Sequence, residues 1–134
     1  MSPNDSRASS SFLRDVINGQ DIIMKSPGTQ LRSYCYVLDC ATAILTIAIN
    51  SEPSNAYNIS NPKSVITIKD FAEICARLSG QEIRFEIPSD QEKAGFNLMS
   101  CSALDATKLS KLGWSGLYSA EDGIAETLKI LKTK

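Results

Sequence analysis

Residues 28–50 read GTQLRSYCYVLDCATAILTIAIN, and the fold turns on how this stretch divides. Ser26-Pro27-Gly28 makes a turn. Leu31 to Val37 alternates well enough to predict a strand. Asp39 follows where an N-cap belongs, its carboxylate able to accept the free amides of a first helical turn. Cys40 to Asn50 is apolar nearly all round, which predicts a deeply buried helix. Arg32 stands alone at the mouth of the strand. A guanidinium is a rigid fork of donors suited to phosphate oxygens. Read by itself, Arg32 is either such an anion-binding group or a surface Arg paired with a nearby carboxylate. Asp39 is either a cap or a general base, with the cap preferred.

Working outward, Ala8 to Asn18 predicts a helix with Phe12, Leu13, Val16 and Ile17 on one stripe and Gly19 as its stop. Asp21 to Met24 is a short strand. Ser51 to Ser54 is a loop, Ala56 to Ser60 a short strand ended by Asn61-Pro62. Thr67 and Asp70 make a capping-box pattern opening a helix to Ser79, with Gly80 behind it. Glu82 to Ile87 is a half-buried strand. Asp90 to Ser102 lacks a strong period and reads as a long loop, a common place for function. Asp105 to Leu112 is a short helix closed by Gly113, with Trp114 packed after it. Ser119 and Asp122 open a last helix to about Leu131. The sum is an α/β fold, small and helix-rich, whose few short strands leave sheet edges exposed and hint at a missing partner layer.

The chain has 134 residues and a net charge of -1, with 43% hydrophobic and 22% charged residues. These totals suit one globular domain. Residues 1–6 are expected to be loose. No basic stripe marks nucleic-acid binding, no apolar run is long enough to span a bilayer, and the first residues lack the pattern of a signal peptide. A cytoplasmic protein is expected, with its four cysteines reduced and mostly buried. The chain has no His, which removes most zinc sites and the commonest general base. No glycine-rich fingerprint and no Tyr-x-x-x-Lys pair occur in the sequence. No catalytic, cofactor-binding or metal-binding residue is therefore assigned. Two further segments stay open between ligand contact and ordinary loop chemistry: Ala56 to Pro62, and Lys93-Ala94-Gly95-Phe96.

Four pieces occur in order: F-L-R-D-x-x-x-G from Phe12, I-x-M-x-x-x-G-T-Q-x-R-S-Y-x-Y-V-x-D from Ile22, A-Y-N-I-x-N-P from Ala56, and D-x-x-K-L-x-x-L-G-W from Asp105. Together they resemble the C-terminal portion of the extended short-chain dehydrogenase/reductases, the NAD-dependent nucleotide-sugar epimerases, 4,6-dehydratases and decarboxylases. The resemblance covers nearly the whole chain from about Arg7. It implies a substrate-binding domain (residues 1–134) normally appended to a Rossmann half, which is absent here and which carries NAD and the catalytic pair. The Ala-Tyr-Asn-Ile strand would join the edge of that half's sheet.

By the same resemblance, Arg32 matches the Arg that binds the substrate diphosphate. Ile23 and Lys25 lie on the strand against the nucleotide base. Ser64 falls near a diphosphate contact. Lys93 stands where the family has a second diphosphate Arg in R-x-G-D, so the charge is kept and the fork is not. Arg7 resembles an Arg before the first helix in some decarboxylases. The implied function is the nucleotide-sugar-binding half of an NAD-dependent epimerase, dehydratase or decarboxylase, an isomerase or lyase whose complete form moves a hydride to NAD. This chain is expected to bind no cofactor and to be inactive alone. Its expected partners are a nucleotide sugar, the missing half and a homo-oligomer, with neither nucleic acid nor membrane. The alternatives are a non-catalytic interaction or self-associating module derived from the same fold, and a regulatory relative that binds NAD but has lost catalysis.

Overall fold

In the computed structural model, which describes residues 5–97 and 99–133, helix α1 (Ala8–Ile17) turns Phe12 and Val16 inward. Gly19 ends the turn that follows at φ +70°, a conformation costly for any residue with a Cβ. The chain then forms β1 (Ile22–Met24), whose Ile22 and Met24 are buried while Ile23 faces out. Strand β2 (Leu31–Ser33) leads through an extended Tyr34-Cys35-Tyr36 into α2 (Val37–Asn50). A 3-10 turn at Pro62–Ser64 precedes β3 (Val65–Thr67) and α3 (Ile68–Ser79). Then come β4 (Ile83–Phe85), a short α4 (Asp90–Ala94), β5 (Cys101–Ser102), α5 (Thr107–Ser110) and α6 (Ala120–Lys132).

The strands form two small sheets. β1 pairs in parallel with β4, Ile22 opposite Ile83. β2 lies in the middle of the other sheet, antiparallel to β3 and parallel to β5, with Arg32 between Ile66 and Ser102. The main core sits where α3 crosses α1, α6 and β1. Phe71, Ala72, Cys75 and Ala76 of α3 meet Phe12, Val16, Ile22, Met24, Ile124 and Leu128 there. The spacing of the α3 residues gives the single apolar stripe of a helix packed on one side. Arg77 and Glu121 tie α3 to α6 at 2.9 Å. A second, thinner cluster holds Ala43, Leu109 and Trp114 under Tyr57 and Ile59.

Several boundaries and burials differ from the sequence reading. The expected strand Leu31–Val37 stops at Ser33, and α2 begins at Val37 rather than Cys40. Asp39 is therefore inside the first turn and Tyr36 is the N-cap, so Asp39 is not a cap. The side chain of Asp39 is 1% exposed. It accepts hydrogen bonds from Asn61 Nδ2 (3.0 Å), Leu117 N (2.9 Å) and Tyr118 N (3.2 Å), joining three distant segments. Nor is α2 deeply buried. Only Asp39 and Ala43 are, while Val37, Leu38, Ile44, Leu45 and Ile49 stand 50–79% exposed. Val37/Ile44 and Leu38/Leu45 lie seven residues apart and Ile49 four beyond Leu45, so they share one unpartnered side of the helix. Ala56–Ser60 is not a strand but an extended run without ladder bonds, since no described strand lies beside it. Its Tyr57 and Ile59 turn toward the second cluster.

The long loop at 90–102 contains α4 and β5. Of the thiols only Cys75 is buried; Cys35 and Cys40 are half-buried and Cys101 is exposed. Of the segment expected to be loose, residues 1–4 lie outside the described residues. Asp5 is held, its carboxylate bonding both Arg7 and Ser10. The capping boxes at Thr67/Asp70 and Ser119/Asp122 form as the pattern dictates. Among the described residues no helix is long and apolar enough to cross a membrane.

Candidate functional site

Arg32 is mounted on the central strand of the three-stranded sheet, so its backbone is fixed from both sides. Tyr34, two residues on, packs its ring 4.5 Å from that of Phe71. Its amide donates to Ser64 O at 3.0 Å. Burial pushes the Tyr34 hydroxyl's pKa up. The strand thus runs from the sheet into the main core. The Arg32 guanidinium donates through Nη1 to the carbonyls of Leu31 (2.7 Å) and Met99 (3.1 Å). Arg7, Arg77 and Arg84 each hold a carboxylate. Among the described residues no carboxylate pairs with Arg32.

The other sequence-predicted residues are distributed as follows. Lys25 follows β1 and pairs with Glu92 of α4. That bond raises the Lys25 pKa, and it lowers Glu92 to about 2, with the Ser89 amide and hydroxyl contributing further. Lys93 is half-exposed and pairs with Asp90 at 3.1 Å, within its own helix. Ile23 faces outward from β1, opposite Arg84. Ser64 is fully buried, and its hydroxyl donates to Asn61 O at 2.9 Å, which leaves it no surface for a ligand in this conformation. Arg7 is far out on the surface, its side chain 80% exposed and clamped to Asp5; that pair holds the Asp5 carboxyl well below the usual carboxylate range.

Lys25 and Lys93 are thus brought to one short helix, through Glu92. Arg32 sits on the neighbouring sheet and bonds the chain just before β5. Arg7 is not joined to either. Two residues escaped the site prediction. Glu92 had a signal, the Ser89-x-x-Glu92 capping pattern; Asn61 lay in the segment left open as a ligand contact, but its buried bond to Asp39 had no signal beyond its place before a proline.

The site is an open surface. A groove of about 240 Å³ lies elsewhere, lined by apolar groups such as Leu13, Tyr34, Phe71 and Ile124, and takes in none of these cations. The residues present do not fit a dinucleotide cofactor. Gly19, Gly28, Gly80 and Gly113 adopt positive φ on four separate turns. None opens the strand-to-helix glycine loop that lets a backbone approach a pyrophosphate, so no step is assigned through NAD here.

A model of the NAD dependent epimerase/dehydratase family matches residues 1–60. Among curated proteins, the chain is 27% identical over 113 residues to low-salt glycan biosynthesis protein Agl12 of Haloferax volcanii, covering 84% of this chain and 35% of that one. It is 28% identical over 132 residues to UDP-glucuronic acid decarboxylase 1 of Xenopus tropicalis, covering 96% and 29%. The chain thus spans about a third of the length of these relatives. Among solved structures, UDP-glucose 4-epimerase of Thermotoga maritima with UDP-glucose superposes with a TM-score of 0.78 at 22% identity, over 98% of this chain and 41% of that one. dTDP-glucose 4,6-dehydratase of Bacillus anthracis in complex with NAD gives 0.77 at 18% identity, over 100% and 42%. In sequence the chain resembles members of the NAD-dependent epimerase/dehydratase family, and in fold it matches the C-terminal part of such structures.

Proposed function

We propose that residues 1–134 are the substrate-binding portion of an NAD-dependent nucleotide-sugar epimerase, dehydratase or decarboxylase, and that this portion grips the substrate diphosphate without doing the chemistry. Arg32 is the principal phosphate ligand. Lys93 and Lys25 add positive charge from α4 and β1, Ile23 offers an apolar wall to the base, and Arg7 and Ser64 contribute only if the complete enzyme rearranges them. The observation that carries this reading is the Arg32 guanidinium: carried on the central strand of a sheet, bonded to two backbone carbonyls, and without a carboxylate partner among the described residues. An unneutralised fork on a rigid mount is what binding of a phosphate requires.

The partner in the complete enzyme is a Rossmann portion carrying NAD. The apolar stripe of α2 and the unladdered run at 56–60 are the surfaces it would cover; among the described residues the one lacks a facing helix or sheet and the other a neighbouring strand. The same stripe favours a second reading, in which the isolated chain is a self-associating module.

Calorimetric titration of UDP into the chain tests the proposal. Arg32→Ala should weaken binding by about 1.5–3 kcal/mol, the range for a charge-assisted hydrogen bond. Equal affinity of the variant and the parent, or no binding by the parent, would return Arg32 to an ordinary surface role. Added NAD and UDP-sugar should give no turnover with this chain alone.

A further inference from the structure

Helix α4 has five residues, none of them buried. A helix this short does not hold itself together in water, and it has no apolar face to anchor it. Two features hold it. The first is local: the Ser89 amide and hydroxyl both donate to Glu92 Oε2 at 2.9 Å, and Glu92 N donates to Ser89 Oγ at 3.3 Å. The second is long-range: Glu92 Oε1 accepts from Lys25 Nζ, 67 residues away in sequence. One carboxylate therefore closes the helix cap with one oxygen and docks the helix on the end of β1 with the other. The two other capping boxes among the described residues use Asp70 and Asp122 at the same position. Capping does not need the longer glutamate; reaching Lys25 while capping does. Lys93 is the next residue along.

We infer that Glu92 is a positioning residue for the anion site: by bridging Ser89 and Lys25 it fixes the helix that presents Lys93. The inference rests on the reading that Arg32 and Lys93 take a nucleoside diphosphate. The competing role for Glu92 is an internal counter-ion that occupies Lys25 and keeps a phosphate away from it. The two roles predict opposite signs.

The discriminating variant is Glu92→Asp, which keeps the cap in the form used at Asp70 and Asp122 but shortens the reach to Lys25. UDP affinity and amide hydrogen exchange are measured on the chain for the parent, Glu92→Asp, Lys93→Ala, the double variant and Arg32→Ala. Expected are an unchanged Tm, faster exchange confined to residues 89–95, and a several-fold loss of UDP affinity in Glu92→Asp. In the Lys93→Ala background the same change should cost no further affinity, because positioning acts through Lys93. A gain in affinity for Glu92→Asp would overturn the inference in favour of the counter-ion role. So would unchanged affinity, or a full additive loss in the double variant, while Arg32→Ala still weakens binding. If Arg32→Ala is also without effect, the binding reading itself falls.

Discussion

Asp39 Oδ2 and Asn61 Nδ2 meet at 3.0 Å although 22 residues separate them in the chain, and both side chains are about 1% exposed. Asn61 also donates to Tyr118 O at 2.7 Å, and its Oδ1 accepts from Lys63 N. The pair is a junction: α2 is joined through it to the turn before β3 and to the connection that enters α6.

Asp39→Ala should destabilise the chain by about 2–4 kcal/mol, since it removes the acceptor of one buried N–H of Asn61 and of the part-buried amides of Leu117 and Tyr118. Urea unfolding followed by circular dichroism measures this. A loss near 1 kcal/mol would be the size of a simple cap and would deny the junction its importance.

Gly116→Ala should act on the same junction from the other side. A Cβ at 116 would collide with the Asn61 amide, which cannot retreat because both its ends are bonded. Overpacking of this kind costs about 1–3 kcal/mol. Combined with Asp39→Ala the losses should be less than additive, and full additivity would separate the two residues.

Replacing Ile44 and Ile49 together with Ser should leave stability within about 0.5 kcal/mol, because both side chains already face water. The same change should abolish concentration-dependent association in sedimentation velocity. Association that persists would mean the α2 stripe is not the sticky surface.

Stability should fall on the alkaline side. Burial in α3 pushes the Cys75 thiol from 9.0 up to about 12. The folded state thus keeps a proton that the unfolded chain releases above about pH 9. The contribution is complete below the unfolded pKa and is lost as pH rises toward 12. Cys75→Ala should flatten that part of the stability–pH profile while lowering stability at neutral pH through the cavity it leaves. An unchanged alkaline slope would assign the loss to other groups.

The parts of the fold legible in sequence are those written locally. Thr67/Asp70 and Ser119/Asp122 mark helix starts because the cap is made within four residues. α1 and α3 show their buried stripes because both pack within this chain. The apolarity of α2 was legible, but its burial was not: a hydrophobic run states that a surface wants cover and not whether the cover is present. Strands β3 and β5, three and two residues long, are too short to show a period. Asp39 looked like a cap because the apolar run starts at Cys40, three residues after the helix itself begins; its real partners at 61, 117 and 118 leave no mark near position 39. At the candidate site, Arg32 was visible by motif, whereas Glu92 hid behind its own capping pattern.

The sheet registers also fix an order of events in folding. β1 waits for Ile83–Phe85, and β2 is completed only by Cys101 and Ser102. Neither sheet can close while a ribosome still holds the middle of the chain, and pairings this far apart in sequence form slowly. Until residue 102 is free, the three-stranded sheet that carries Arg32 lacks its third strand. A growing chain of this design carries an unpaired edge of β2 until β5 is made, and such unpaired edges favour misassociation.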